Sequence, residues 1–167
     1  MEPVQKFLKA LWTVEATICV IAFCATALAL MADVLAREFF GNGIFGAQRF
    51  AVWGNAISGL LGFALVTAER GHLRPQFADN LLPKALEPYA DRIGEVLSAV
   101  ICLGMAWFAV KFVQSSAALG ERGMAIPILV WPIQLVLVWM FFSSALRHLA
   151  YARWPELRPT PRSEVPS

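Results

Sequence analysis

Apolar positions along this chain neither alternate nor scatter. They gather into four long blocks, at about 11–33, 50–67, 93–114 and 126–147. Each is close to the roughly 20 residues that a helix needs to cross hydrocarbon. Short stretches rich in glycine, proline and charge separate them. The pattern predicts an all-α integral membrane protein with a four-helix membrane domain over 1–153. From Trp154 onward, prolines at 155, 159, 161 and 166 predict a disordered tail, 154–167.

Within the blocks the polar and small residues are placed with a period. The first block runs into "ADVLAREFFGNGIFG", where Asp33 and Arg37 stand four apart and share a helical face. They form either a fixed polar contact at the membrane face or an exposed pair worth roughly 0.3–0.5 kcal/mol, and the residues alone favour the second. The glycines at 41, 43 and 46, with Asn42, then supply a turn. In the second block Gly54, Ser58 and Gly62 recur every four residues, with Asn55 beside them. In the third, Gly94, Ser98, Cys102 and Ala106 repeat the device. Small residues let helix backbones approach closely in lipid, where no hydrophobic drive pairs them. These stripes predict packing faces, either within the chain or against a partner.

Between spans two and three, the segment at about 75–92 puts Phe77, Leu81, Leu82, Ala85, Leu86 and Tyr89 on one helical side. Asp79, Lys84, Glu87 and Asp91 lie elsewhere, which predicts an interfacial amphipathic segment. Pro83 and Pro88 argue for two pieces or a kink. In the fourth block Pro127 suits a first helical turn, and Pro132 kinks the helix unless the start lies later. Trp131 and Trp139 can anchor or pack.

Composition sharpens the class. Of 167 residues, 58% are apolar and 16% charged, against roughly 45–50% and about 25% in soluble domains. The net charge of +2 matters less than its distribution. With both termini cytoplasmic, that side carries Lys6, Lys9, Arg70, Arg74, Lys84, Arg92, Arg147, Arg153, Arg158 and Arg162. The other side keeps Arg37, Arg49, Lys111 and Arg122, and this bias orients the chain. Cys19, Cys24 and Cys102 all fall inside spans, without metal-ligand spacing, and read as packing residues. The first span resembles a signal peptide, but its length and the flanking Glu15 and Asp33 favour an uncleaved helix.

Two chemistries are open to these residues. His72 and His148 fall near one membrane face, as haem ligands of an oxidoreductase anchor subunit would. Their neighbours Arg70, Arg74 and Arg147 point instead to solvated boundary histidines. Glu15, in the first of four short spans, invites a proton-coupled exporter acting as a homodimer, since an intramembrane acid is a functional hypothesis by default. It stands only about a turn inside, however, within reach of Lys9 or the headgroups by snorkelling. The chain lacks a phosphate-binding loop, a nucleophile–base pair and zinc spacing. No nucleic-acid binding is expected, because the basic residues follow topology.

At "DVLAREFFGNGIFGAQRFAVW", "TAERGHLRPQF" and "GMAIPILVWPIQLVL" the chain resembles the small membrane subunit of tripartite ATP-independent periplasmic (TRAP) transporters, the DctQ-like family. Asp33 and Arg37 match that family's Asp–Arg pair after span one. Gly71, His72, Leu73 and Arg74 match its boundary after span two, and Ile126, Pro127 and Trp131 its opening of span four. Gln48 departs from a frequent acid, and Pro75–Gln76 from a frequent Val–Asp. The resemblance implies a bacterial inner-membrane scaffold subunit that is not an enzyme and binds no cofactor. Its implied partners are a large multi-spanning permease subunit, which carries sodium and an organic acid, a periplasmic substrate-binding protein, and membrane lipid.

Overall fold

The computed structural model describes residues 2–69, 87–123 and 128–158, apart from the side chains of 87, 88, 90 and 91. Among them are four helices long and apolar enough to span a membrane: α1 (Glu2–Phe40), α2 (Ala47–Ala68), α3 (Glu87–Leu119) and α4 (Trp131–Arg153). A short 3-10 turn, Pro155–Leu157, follows α4. No strand occurs among the described residues; one isolated antiparallel bridge joins Arg122 and Leu129.

The helices form an ordered row rather than a square. α1 packs on α2, α2 on α4, and α4 on α3. Contacts along α1 and α2 run antiparallel: Cys19 Sγ donates to the Ser58 carbonyl at 3.4 Å, and Ile44 N donates to Asp33 at 2.7 Å. α2 and α4 run parallel at the centre. Arg147 and Tyr151 reach the carbonyls of Ala64 and Ala68, both at 3.2 Å and one turn apart on each helix. An edge-on contact between Phe63 and Phe141, with centroids 6.4 Å apart, joins the same two helices.

Small residues fill the contact faces and large ones face out, the reverse of a soluble core. On α3 the buried positions include Ala99, Cys102, Ala106, Ala109 and Val113, spaced alternately three and four apart. That alternation keeps one seam of a 3.6-residue helix against its neighbour. Facing outward on α1 and α3 are Phe23, Trp107 and Phe108, each more than half exposed. In hydrocarbon such groups lose nothing by exposure, whereas small facing residues gain close packing.

Hydropathy marks what crosses the membrane, not where a helix ends. α1 extends beyond the expected 11–33 at both ends, because Glu2, Lys6 and Lys9 are good helix formers. α4 begins at Trp131 and not near 126, so Pro132 sits in its first turn and needs no kink. The preceding residues close a loop: Val130 N donates to the Glu121 carbonyl at 3.1 Å, and Gly123 N to the Ile128 carbonyl at 3.0 Å. Most of the expected interfacial segment lies outside the described residues. Its last part, from Glu87, belongs to the continuous helix α3, with Pro88 in the first turn. The expected tail begins with structure: Trp154 N donates to the Ala150 carbonyl at 2.8 Å and Arg158 Nε to that of Tyr151 at 3.2 Å. Residues 159–167 lie outside the described residues.

Candidate functional site

The most consequential polar group sits where three helices meet. α1 places Glu15 fully buried, and α4 places Arg147 only 1% exposed. Arg147 Nη2 donates to Glu15 Oε2, and Trp139 Nε1 donates to Glu15 Oε1 at 3.0 Å. Arg147 Nη1 donates to the Ala64 carbonyl of α2 at 3.2 Å. Depth follows from α2, whose 22 residues make about 33 Å, close to the roughly 30 Å hydrocarbon thickness. Its ends therefore mark the membrane faces, and Ala64 stands one turn inside.

Two expectations are corrected here. Glu15 does not snorkel to Lys9 or the headgroups, because a guanidinium inside the bundle satisfies it. Arg147 is not a loop charge, because Glu15 and a backbone carbonyl hold it within the row. Both Glu15 oxygens are engaged within the chain, and its charge is matched by arginine rather than left open to a transported cation. That geometry removes the basis of the exporter reading.

A second clamp closes the opposite end. Asp33 is 3% exposed. Its Oδ2 accepts from Arg37 Nε at 3.1 Å and Nη2 at 2.8 Å, and its Oδ1 accepts from Ile44 N. This is the fixed contact, not the exposed pair that the residues alone favoured. The difference is Ile44: the turn folds its backbone over the carboxylate. Gly43 is required for that approach, since a Cβ there would lie 2.6 Å from Asp33 Oδ1 and 2.8 Å from Arg37 Nε. Asp33→Ala leaves Ile44 N–H and Arg37 without this acceptor and should cost about 1–3 kcal/mol. Thermal unfolding in detergent would show it, and an unchanged midpoint would count against the clamp.

A third cluster ties α3 to the end of α4. Glu95 Oε2 accepts from His148 Nδ1 at 2.7 Å, and Arg158 Nε lies 4.0 Å from Glu95 Oε1. His148 is therefore not a solvated boundary residue, and its Nδ1 is engaged by a carboxylate. His72, the other haem candidate, lies outside the described residues, as do Gly71, Arg74, Ile126 and Pro127. Among the described residues no group of three or more His, Cys, Asp or Glu side chains could hold a metal ion.

The small-residue stripes divide. Gly54 and Ser58 are buried against α1, while Gly62 is half-buried and Asn55 exposed. In α3, Ala106 and Cys102 are buried, Ser98 half-buried and Gly94 exposed. A strict four-residue stripe turns about 40° per step around a 3.6-residue helix, so its ends rotate off the contact. Leu61, Ala64 and Glu95, Ala99 take over where Gly62 and Gly94 leave. Trp131 opens α4, and Gln48 lines an outer crevice with Arg37 and Arg49.

Sequence reasoning missed Arg147, Trp139 and Glu95 as network members. One signal was present: Ser143, Ser144, Arg147 and Tyr151 share one side of α4 at helical spacing, and Glu15 lies at a matching depth on α1.

A family model for the DctQ component of tripartite ATP-independent periplasmic transporters matches residues 26–154. No curated protein matches the chain. Asp33, Arg37, Trp139 and Arg147 fall inside the matched region, whereas Glu15 precedes it. With four spanning helices in the described chain and most of its length matched, the protein belongs to the DctQ family and is the small membrane component of a TRAP transporter, not an enzyme.

Proposed function

We propose that this chain braces a large permease subunit through sodium-coupled uptake of an organic acid delivered by a periplasmic binding protein. The observation that carries the reading is the neutralised interior. Among the described residues the buried charges are matched within the chain, Glu15 by Arg147, Asp33 by Arg37 and Glu95 by His148 and Arg158. Among the described residues these pairs leave no buried ion over to hold a carboxylate substrate or sodium. Sodium and substrate then belong to the large partner, and this chain uses no cofactor. The outward apolar faces of α1 and α3 suit a lipid-embedded brace beside a moving neighbour.

The bacterial inner membrane is the setting, with both termini cytoplasmic. Once Arg147 is taken out of the topological count, nine basic residues remain on that side against four, which keeps the bias.

The test is native mass spectrometry of the tagged chain, gently extracted at natural expression. A one-to-one companion, much larger and multi-spanning, is expected. Recovery only as a bare homodimer would sink the proposal. Gly62→Leu locates the partner surface, because a Cβ at Gly62 meets no atom of this chain within 4 Å. The chain itself should fold, while co-purification of the companion should fall roughly tenfold, as expected of about 1–3 kcal/mol of overpacking. Undiminished co-purification would place the partner elsewhere.

A further inference from the structure

At the end of the row where α1 begins and α4 ends, a crevice of about 230 Å³ opens between the first turns of α1 and the ends of α2 and α4. Gln5, Lys9 and Trp12 line it on one side, Ala68 and Leu157 on the other, with Arg147 also reaching it. Ala68 ends α2, the helix whose length matches the hydrocarbon, so the crevice stands at a membrane face.

Its charge is not cancelled. Arg147 is matched by Glu15, and Lys6, outside the crevice, lies 3.8 Å from Glu2. Lys9 pairs with no carboxylate among the described residues. The crevice therefore offers one uncompensated cation and an amide beside an indole that is 39% exposed. Basic pockets between spanning helices take anionic headgroups, and tryptophan favours the same depth.

We propose that this crevice binds the phosphate of an anionic phospholipid, with Lys9 and Gln5 on the headgroup and Trp12 along the glycerol and upper acyl chain. The apolar wall distinguishes it from a site for free phosphate, which would gain nothing from Trp12 or Leu157. A lipid seated there would fill the wedge between α1 and α4 next to the Glu15–Arg147 pair.

The test uses the complex extracted from its own membrane, stripped of lipid in detergent and titrated with dioleoyl phosphatidylglycerol or dioleoyl phosphatidylcholine under native mass spectrometry. Wild type should retain phosphatidylglycerol about fivefold more strongly than phosphatidylcholine. Lys9→Gln should erase that preference, while Lys6→Gln should leave it intact. Both residues are exposed, so folding is not at issue, and the readout holds whatever protein partner the chain carries. Equal retention of the two lipids, or a preference that survives Lys9→Gln, would overturn the proposal. Displacement of the lipid by millimolar inorganic phosphate would also overturn it, by making the crevice a free-phosphate site.

Discussion

Arg147→Met alone should destabilise the protein by about 3–5 kcal/mol, because it leaves Glu15 as an unmatched carboxylate among apolar helices. Glu15→Leu should cost a similar amount from the other side, stranding a guanidinium that is 1% exposed. The double variant, Glu15→Leu with Arg147→Met, should recover most of the loss. Buried ion pairs seldom exceed well-packed apolar replacements, since desolvation offsets their attraction. A residual cost of about 1–2 kcal/mol is expected, as Trp139 Nε1 and the Ala64 carbonyl lose partners. Thermal unfolding and monodisperse yield of all four proteins in one detergent measure the cycle. Simple additivity of the two single losses would show that the residues do not act on each other, and the clamp would fail as an explanation of how α1 is held.

This coupling bears on function as well as stability. α1 lies at one edge of the row and packs on α2 alone over much of its length. Glu15 is what reaches past α2 to α4. Without that reach, the first half of α1 rests on Leu11, Cys19 and weak lipid-compatible packing. On the bracing role proposed above, an outer helix that swings could not present a constant surface to the partner. Transport should therefore fall in the single variants in step with folded yield and return in the double variant. Transport that stays lost in a well-folded double variant would give Glu15 a role in coupling that its geometry does not suggest.

Much of the fold was legible because lipid imposes a simple rule. Four apolar blocks of spanning length must become four helices, and the turn at "GNG" could hardly be anything else. What hydropathy could not show was pairing. Arg147 near a helix end looks like any topological arginine, and Glu15 near the other end looks like any snorkelling acid. Only the antiparallel path of α1, with α4 running parallel to α2, brings them to one depth. Asp33 was misjudged for a related reason: a pair at positions i and i+4 is visible in sequence, but the backbone amide of Ile44 arriving from the next turn is not. The stripes were legible as small residues and illegible as faces, since a four-residue period drifts around the helix. Gly62 and Gly94 stand where the stripes have rotated off the contacts within this chain.

Gly54→Ala should break the α1–α2 contact by the addition of one methyl group. A Cβ at this position would fall deep inside van der Waals contact with Thr26 Oγ1. That oxygen has little freedom to withdraw, because threonine is stiff at χ1 and its hydroxyl donates to the Ala22 carbonyl at 2.8 Å. Backbone separation must then open the seam that Cys19 and Ser58 share one to two turns away. The expected cost is about 1–3 kcal/mol, read as a lower unfolding midpoint and loss of monodisperse protein. Adding Thr26→Ala removes the obstructing oxygen and should restore most of the stability, although Thr26→Ala alone leaves a small gap. Gly59→Ala serves as the control, because a Cβ there meets nothing within 4 Å and alanine favours the helix by about 0.8–1.0 kcal/mol over glycine. If Gly54→Ala and Gly59→Ala behave alike, the seam is looser than its geometry implies. If only Gly54→Ala fails and Thr26→Ala rescues it, this glycine is spent on packing within the chain, and the partner surface must be sought on the faces that Gly54 does not share.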